Sequence, residues 1–195
     1  MVYILFADGF EEVEALTPCD YLRRAGLEVV MVSMNAERLV TGVHGIGLMC
    51  DVTADEALKN IDEKPFEMLI FPGGKAGVEN LDADPRTDLF LSAAQSQNAF
   101  LSAICAGPSL LGKRGFLVGK PAVCYPGFES FLSGAEISAE PVVCSGWTIT
   151  AKAAGVASEF AFCLIEKLRG KEAANQVKNA VFFQERAEND VGSVS

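Results

Sequence analysis

Short apolar runs alternate along this chain with longer stretches in which apolar residues recur every three or four positions. The first pattern marks buried strands and the second marks helices with one apolar face. "VYILF" (2–6) reads as a strand, and "EEVEALTPCDYLRRAG" (11–26) as a helix closed by Gly26. "EVVMVS" (28–33) is a second strand, and "GIGLM" (45–49) a short one before the turn and helix "DVTADEALKN" (51–60). "EMLIFPGG" (67–74) is a strand that stops at Pro72, Gly73 and Gly74. "DPRTDLFLSAAQSQN" (84–98) predicts a helix with Asp84 as its cap and Pro85 at its first position. Phe100 to Ile104 is a further strand, and a helix follows the corner "CAGP". "PAVCYPGFESFLSG" (121–134) predicts a short strand and a short helix. "VVCSGWTITA" (142–151) reads as a hairpin turned at Ser145–Gly146, and "SEFAFCLIEKLRG" (158–170) as an amphipathic helix. The acidic, Gly/Ser-containing last residues are expected to fray.

Continuous apolar strands between helices imply a mostly parallel sheet covered on both faces, an α/β sandwich of three layers. No repeat, linker or composition break divides residues 1–195, so one domain is expected. In such sheets ligands bind beyond the carboxyl ends of the strands. Three segments fall there: "ADGFEE", "FPGGKAG" and "ICAGPS".

Composition narrows the function classes. The chain has 195 residues, half of them apolar, which suits a folded domain with a sizeable core. A net charge of −10 repels phosphate backbones, so nucleic acid is not an expected partner. "VYILF" is too short and lacks the basic flank for a signal peptide, and no later run suits a membrane span; a cytoplasmic protein is expected. The six cysteines are scattered without a CxxC, which reads as mostly core thiols rather than a disulfide framework. His44 is the only histidine and no ligand spacing is present, so a metal site is not expected.

Chemistry converges on Cys105. A tight strand-to-helix corner forces its apex residue into a strained backbone and exposes the side chain, the device of a nucleophile elbow. The N–H groups of a following helix favour a thiolate, so a lowered thiol pKa is expected. Gly73 and Gly74 let an anion or carbonyl oxygen approach closely, and with the Ala106 amide they form a candidate oxyanion hole. "GFEEVEAL" places Glu11, Glu12 and Glu14 in a first helical turn, and spacing alone selects none of them. Pro18 predicts a bend in that helix.

"ADGFEEVEALTPCDYLRRAG", "LIFPGG", "AICAGPSLL" and "GVASEFAFCLIEKLRGKEAANQVKNA" together resemble the ThiJ/PfpI superfamily, in the branch of the parkinsonism-linked protein deglycase and its bacterial ThiJ-type relatives. The resemblance runs over nearly the whole chain. It implies a flavodoxin-like fold, a homodimer, and a cofactor-free glyoxalase or deglycase acting on small reactive aldehydes or glycated substrates. It implies that Cys105 is the reactive cysteine. Glu14 is implied as the protonated carboxyl bonded to its thiolate, and Gly74 as the oxyanion-hole glycine. On that basis Glu14→Gln would raise the thiol pKa.

Two positions depart from the family pattern. A family histidine after a strand corresponds to Tyr125, and a loop arginine corresponds to His44, which would then approach the site either within the chain or across a dimer interface. Ala106 stands where the peptidase branch has histidine, which disfavours proteolysis. The alternative to an enzyme is a non-enzymatic oxidative-stress sensor or chaperone that works through oxidation of Cys105 to a sulfinate, with Cys124 the competing thiol. A role near thiamine biosynthesis rests on the family label alone.

Overall fold

The computed structural model describes residues 1–184; the expected frayed end lies outside them. In chain order the strands are β1 (Val2–Phe6), β2 (Val29–Ser33), β3 (Leu39–Thr41), β4 (Gly47–Met49), β5 (Val52–Thr53), β6 (Met68–Phe71), β7 (Phe100–Ile104), β8 (Pro121–Ala122), β9 (Glu136–Ile137), β10 (Val142–Ser145) and β11 (Thr148–Ala151). The helices are α1 (Glu12–Arg24), α2 (Ala54–Lys59), α3 (Lys75–Ala83), α4 (Arg86–Ser96), α5 (Pro108–Lys113), α6 (Ala157–Arg169) and α7 (Lys171–Ala180).

Seven strands form one sheet in the order β10-β11-β7-β6-β1-β2-β5. Every pair is parallel except β10 with β11. The strand period of two divides the apolar residues between two cores. Tyr3 and Leu5 point to a core covered by α2 to α5, with Ala57, Val78, Phe90 and Leu110. Val2, Ile4 and Phe6 point to the other, covered by α1, α6 and α7, with Ala15, Leu22, Phe160 and Val177. The expected flavodoxin-like sandwich is therefore present, with both faces of the sheet covered.

Several elements differ from the sequence reading, among them the two-residue strands β5 and β9. α3 and α7 were not predicted, because each carries only two or three buried side chains among small and polar residues. The 39–49 region is a two-stranded hairpin in which Val40 is buried and its neighbours are exposed. Asp84 does cap α4, accepting the Arg86 N–H at 2.9 Å.

The cysteines correct the expectation of unpaired thiols. Cys144 on β10 and Cys163 on α6 form a disulfide. They are 19 residues apart in sequence, and only the packing of α6 against β10 brings them together. Cys19, Cys50 and Cys124 are free and buried, and Cys105 is free and half-buried.

Candidate active site

β1 lies between β2 and β6, so the chain leaves its C-terminal end in one direction and returns on the other side. The crevice this opens is a general ligand position in such sheets. β1, β6 and β7 deliver "ADGFEE", "FPGG" and "ICAG" to this edge.

Cys105 follows β7 directly and has a φ of 63°, a left-handed conformation rare for a residue with a side chain. The strain is held by neighbours: the Cys105 N–H donates to Ala151 O at 2.9 Å, and Tyr125 N–H donates to Cys105 O at 2.8 Å. Gly107 passes so close to the Phe71 and Ile104 carbonyls that an added Cβ would strike them. A turn this tight thus needs glycine two residues after the cysteine. Pro108 then starts α5 at a position where no N–H is required.

Glu14 reaches the sulfur from the first turn of α1 and is 1% exposed. Its carboxyl interacts with the Cys105 thiol and with the amides of Gly73 and Ala154. Its Oε2 nonetheless finds no hydrogen-bond donor of ordinary geometry. A side chain at Gly73 would collide with that oxygen and with Cys105 Cβ, so glycine there lets the two groups meet. The amides of Gly74 and Ala106 point at the sulfur. Gly73 serves the carboxyl instead of the sulfur, a division the sequence did not show.

Burial pushes the Glu14 carboxyl up to about 7, and the Glu11 charge adds to this against the hydrogen bond from Cys105. Burial also pushes the Cys105 thiol up to about 12, reinforced by the Glu14 charge and hydrogen bond. The Gly74 and Ala106 amides pull it down without overcoming those effects. This reverses the expected lowering. α5 is only six residues long, the sulfur is largely desolvated, and its nearest charge is negative. The two groups titrate as a coupled pair, and burial of both opposes the first negative charge placed between them.

Glu12, two residues before Glu14, behaves oppositely. Its Oε1 accepts the His44 N–H at 2.9 Å and its Oε2 meets His44 Nδ1 at 2.8 Å. Burial raises its pKa, but the His44 contacts outweigh burial and the net shift is downward. His44 moves up in turn, first through the Glu12 hydrogen bond and then through the charges of Glu11 and Glu12. Glu11, Glu12 and His44 place ligand-capable atoms within 4.8 Å of one another. Both Glu12 oxygens already accept from His44, so the trio is an ion-pair cluster satisfied from within.

A cleft of about 530 Å³ opens over these groups, lined by Glu11, Glu14, His44, Gly74, Cys105, Ala106 and Tyr125 among others. His44 reaches it within one chain. Tyr125 lines it half-exposed, where the family pattern has histidine. Cys124 does not; it is buried in the core on the α2–α5 side. The sequence reading missed the wall at Ala153, Ala154 and Gly155, which carries no reactive side chain to signal it. A buried acid beside a thiol, with backbone donors and an open cleft, suits proton transfer coupled to addition at an electrophilic carbon.

The DJ-1/PfpI family model matches residues 1–167. Parkinson disease protein 7 homolog of Danio rerio is 29% identical over 93% of this chain and 96% of its own. Glutathione-independent glyoxalase DJR-1.2 of Caenorhabditis elegans is 32% identical over 89% of this chain and 91% of its own. The structure of Toxoplasma gondii DJ-1, oxidized, superposes with a TM-score of 0.88 at 29% identity, covering 94% of this chain and 98% of that one. With the cysteine corner, the buried acid and the sheet order alike in place, the chain belongs to the DJ-1/PfpI family.

Proposed function

We propose that the protein is a cofactor-free glyoxalase of reactive α-dicarbonyls such as methylglyoxal, with deglycation of their early adducts as the same carbonyl chemistry. The observation that carries this reading is the Glu14 carboxyl, pushed up to about 7 and packed against the Cys105 thiol in an open cleft. A base with a pKa near working pH transfers protons in both directions most effectively.

Glu14 carboxylate takes the thiol proton as Cys105 sulfur bonds to the aldehyde carbon, then passes it to the former aldehyde oxygen, giving a hemithioacetal and restoring the carboxylate. The aldehyde oxygen is held by the Gly74 and Ala106 amides. Glu14 then moves a proton from that carbon to its neighbour through an enediol, leaving a thioester. Water hydrolyses the thioester to lactate and restores the thiol, so methylglyoxal plus water becomes lactic acid. Tyr125 and His44 border the cleft as hydrogen-bonding groups for the second carbonyl. Following methylglyoxal loss and lactate formation for wild type and Cys105→Ala tests this: the variant is expected to be inactive, and equal activity overturns it.

A second reading is favoured by the T. gondii structure, which is described as oxidized. Two equivalents of peroxide would convert Cys105 to a sulfinate held by the same amides, releasing two waters. Peptide mass spectrometry after peroxide, with Cys105 the first of the free thiols modified, is the test.

Leu39, Val43, Ile46 and Met49 of the β3–β4 hairpin are exposed, as is Val13 of α1. Val43 N–H donates to Phe10 O, which ties the hairpin to the loop before α1. We propose the exposed hairpin surface as the face of the homodimer, and Met49→Glu with Ile46→Glu should yield a monomer in light scattering.

A further inference from the structure

We infer that Cys144 and Cys163 are a reversible thiol–disulfide couple, separate from Cys105, that sets the rigidity of one wall of its cleft. The bridge closes a chain segment of 19 residues' separation from β10 to α6. That segment contains β11 and Ala153, Ala154 and Gly155, which are the cleft wall. Within it, Ala151 O accepts the Cys105 N–H and the Ala154 amide reaches Glu14. Thr150 Oγ1 accepts the Val123 N–H at 3.0 Å, tying the wall to the strand before Tyr125. The bridge therefore staples the segment that holds both reacting groups, though neither of its sulfurs enters their cleft.

Access favours exchange. Cys144 is exposed on the edge strand β10, which pairs only with β11 within the seven-stranded sheet. Cys163 lines a separate groove of about 380 Å³ with Phe162, Lys171, Asn175 and Lys178. A small thiolate attacks Cys144 Sγ, forming a mixed disulfide while the Sγ–Sγ bond breaks. The electron pair leaves on Cys163 sulfur, which takes a proton from solvent. A second small thiolate attacks the outer sulfur of the mixed disulfide and releases Cys144 as thiolate. Two electrons thus pass from two small thiols to the bridge, and a small disulfide is the product. Oxidation by that disulfide runs the same steps in reverse.

The couple stands whether or not the cleft turns over an aldehyde, because its readouts are covalent state, amide exchange and alkylation. Wild-type protein is equilibrated with glutathione of graded oxidised-to-reduced ratio, then mapped by non-reducing peptide mass spectrometry. A cross-linked Cys144–Cys163 peptide is expected that disappears reversibly as the ratio falls. In the reduced protein, amides 148–156 should exchange roughly tenfold faster, as opening a closed loop of this size allows. Iodoacetamide labelling of Cys105 should rise by a similar factor. Cys144→Ser should reproduce both effects without reductant, and wild type under reductant gives the same test should the variant not fold. Free thiols at both positions under oxidised glutathione would overturn the proposal. So would a bridge whose loss leaves exchange at 148–156 and Cys105 labelling unchanged.

Discussion

Glu12 and Glu14 sit in the same first turn of α1, at 5% and 1% exposure, yet their pKa values move in opposite directions. The helix N-terminus favours negative charge at both, so the helix does not explain the difference. Glu12 faces an imidazole and a backbone N–H from His44, and is held as a carboxylate. Glu14 faces a thiol and has one oxygen without a donor of ordinary geometry. Burial then dominates and its proton is retained up to about pH 7. The partner therefore decides which carboxylate is structural and which is available for chemistry.

The largest test of this contrast is Glu14→Gln. It keeps the shape but removes the proton acceptor, and turnover of methylglyoxal should fall by about 10²–10⁴. Removing the neighbouring charge should also lower the Cys105 thiol pKa from its value of about 12, measured by thiolate absorbance. A rise would instead restore the protonated-carboxyl assignment that the family resemblance implies.

The same substitution has a stability signature. The folded Glu14 pKa of about 7 lies above its ordinary 4.5, so the folded state holds this proton more tightly than the unfolded chain. The stabilisation is complete below about pH 4.5 and is lost as pH rises through about 7. From the shift between 4.5 and about 7, wild type should lose on the order of 3 kcal/mol relative to Glu14→Gln across this range. Urea unfolding of both proteins at pH 4.5 and 8 measures it. A difference that does not grow with pH would remove the buried acid from the account.

Glu12→Gln should behave differently. It should lower the His44 pKa, seen by NMR titration, and destabilise the fold by about 1 kcal/mol through weakened hydrogen bonds. Cys105 labelling should be unchanged. Tyr125→His carries the smallest effect. The ring borders the cleft, and a base there should raise turnover modestly if proton transfer limits the rate; unchanged or lower turnover would mark Tyr125 as part of the binding surface.

The parts of this arrangement differ in how far the sequence revealed them. β1 and β7 were legible to the residue: β1 is a continuous buried apolar run, and β7 is one interrupted only by the buried Ser102. The Cys105 corner was legible because Ala106, Gly107 and Pro108 admit few other backbone paths. α3 and α7 were not, since "KAGVENLDA" and "KEAANQVKNA" bury too few side chains to leave a period. The choice of Glu14 among three glutamates came from family resemblance and not from spacing. The Ala153–Gly155 wall and the Cys144–Cys163 bridge arise from tertiary packing, which short-range pattern does not encode. The thiol's direction of shift was misread because a helix start was counted without the burial and the negative charge beside the sulfur.

The pH dependence of methylglyoxal conversion to lactate is the most direct test of the Glu14–Cys105 pair. In wild type, kcat/KM should rise with pH through an apparent pKa near 7, as Glu14 becomes a carboxylate able to take the thiol proton. That limb should vanish in Glu14→Gln, persist in Glu12→Gln, and no activity should remain in Cys105→Ala. A rise near 7 that survives in Glu14→Gln, or turnover that survives in Cys105→Ala, would contradict the account.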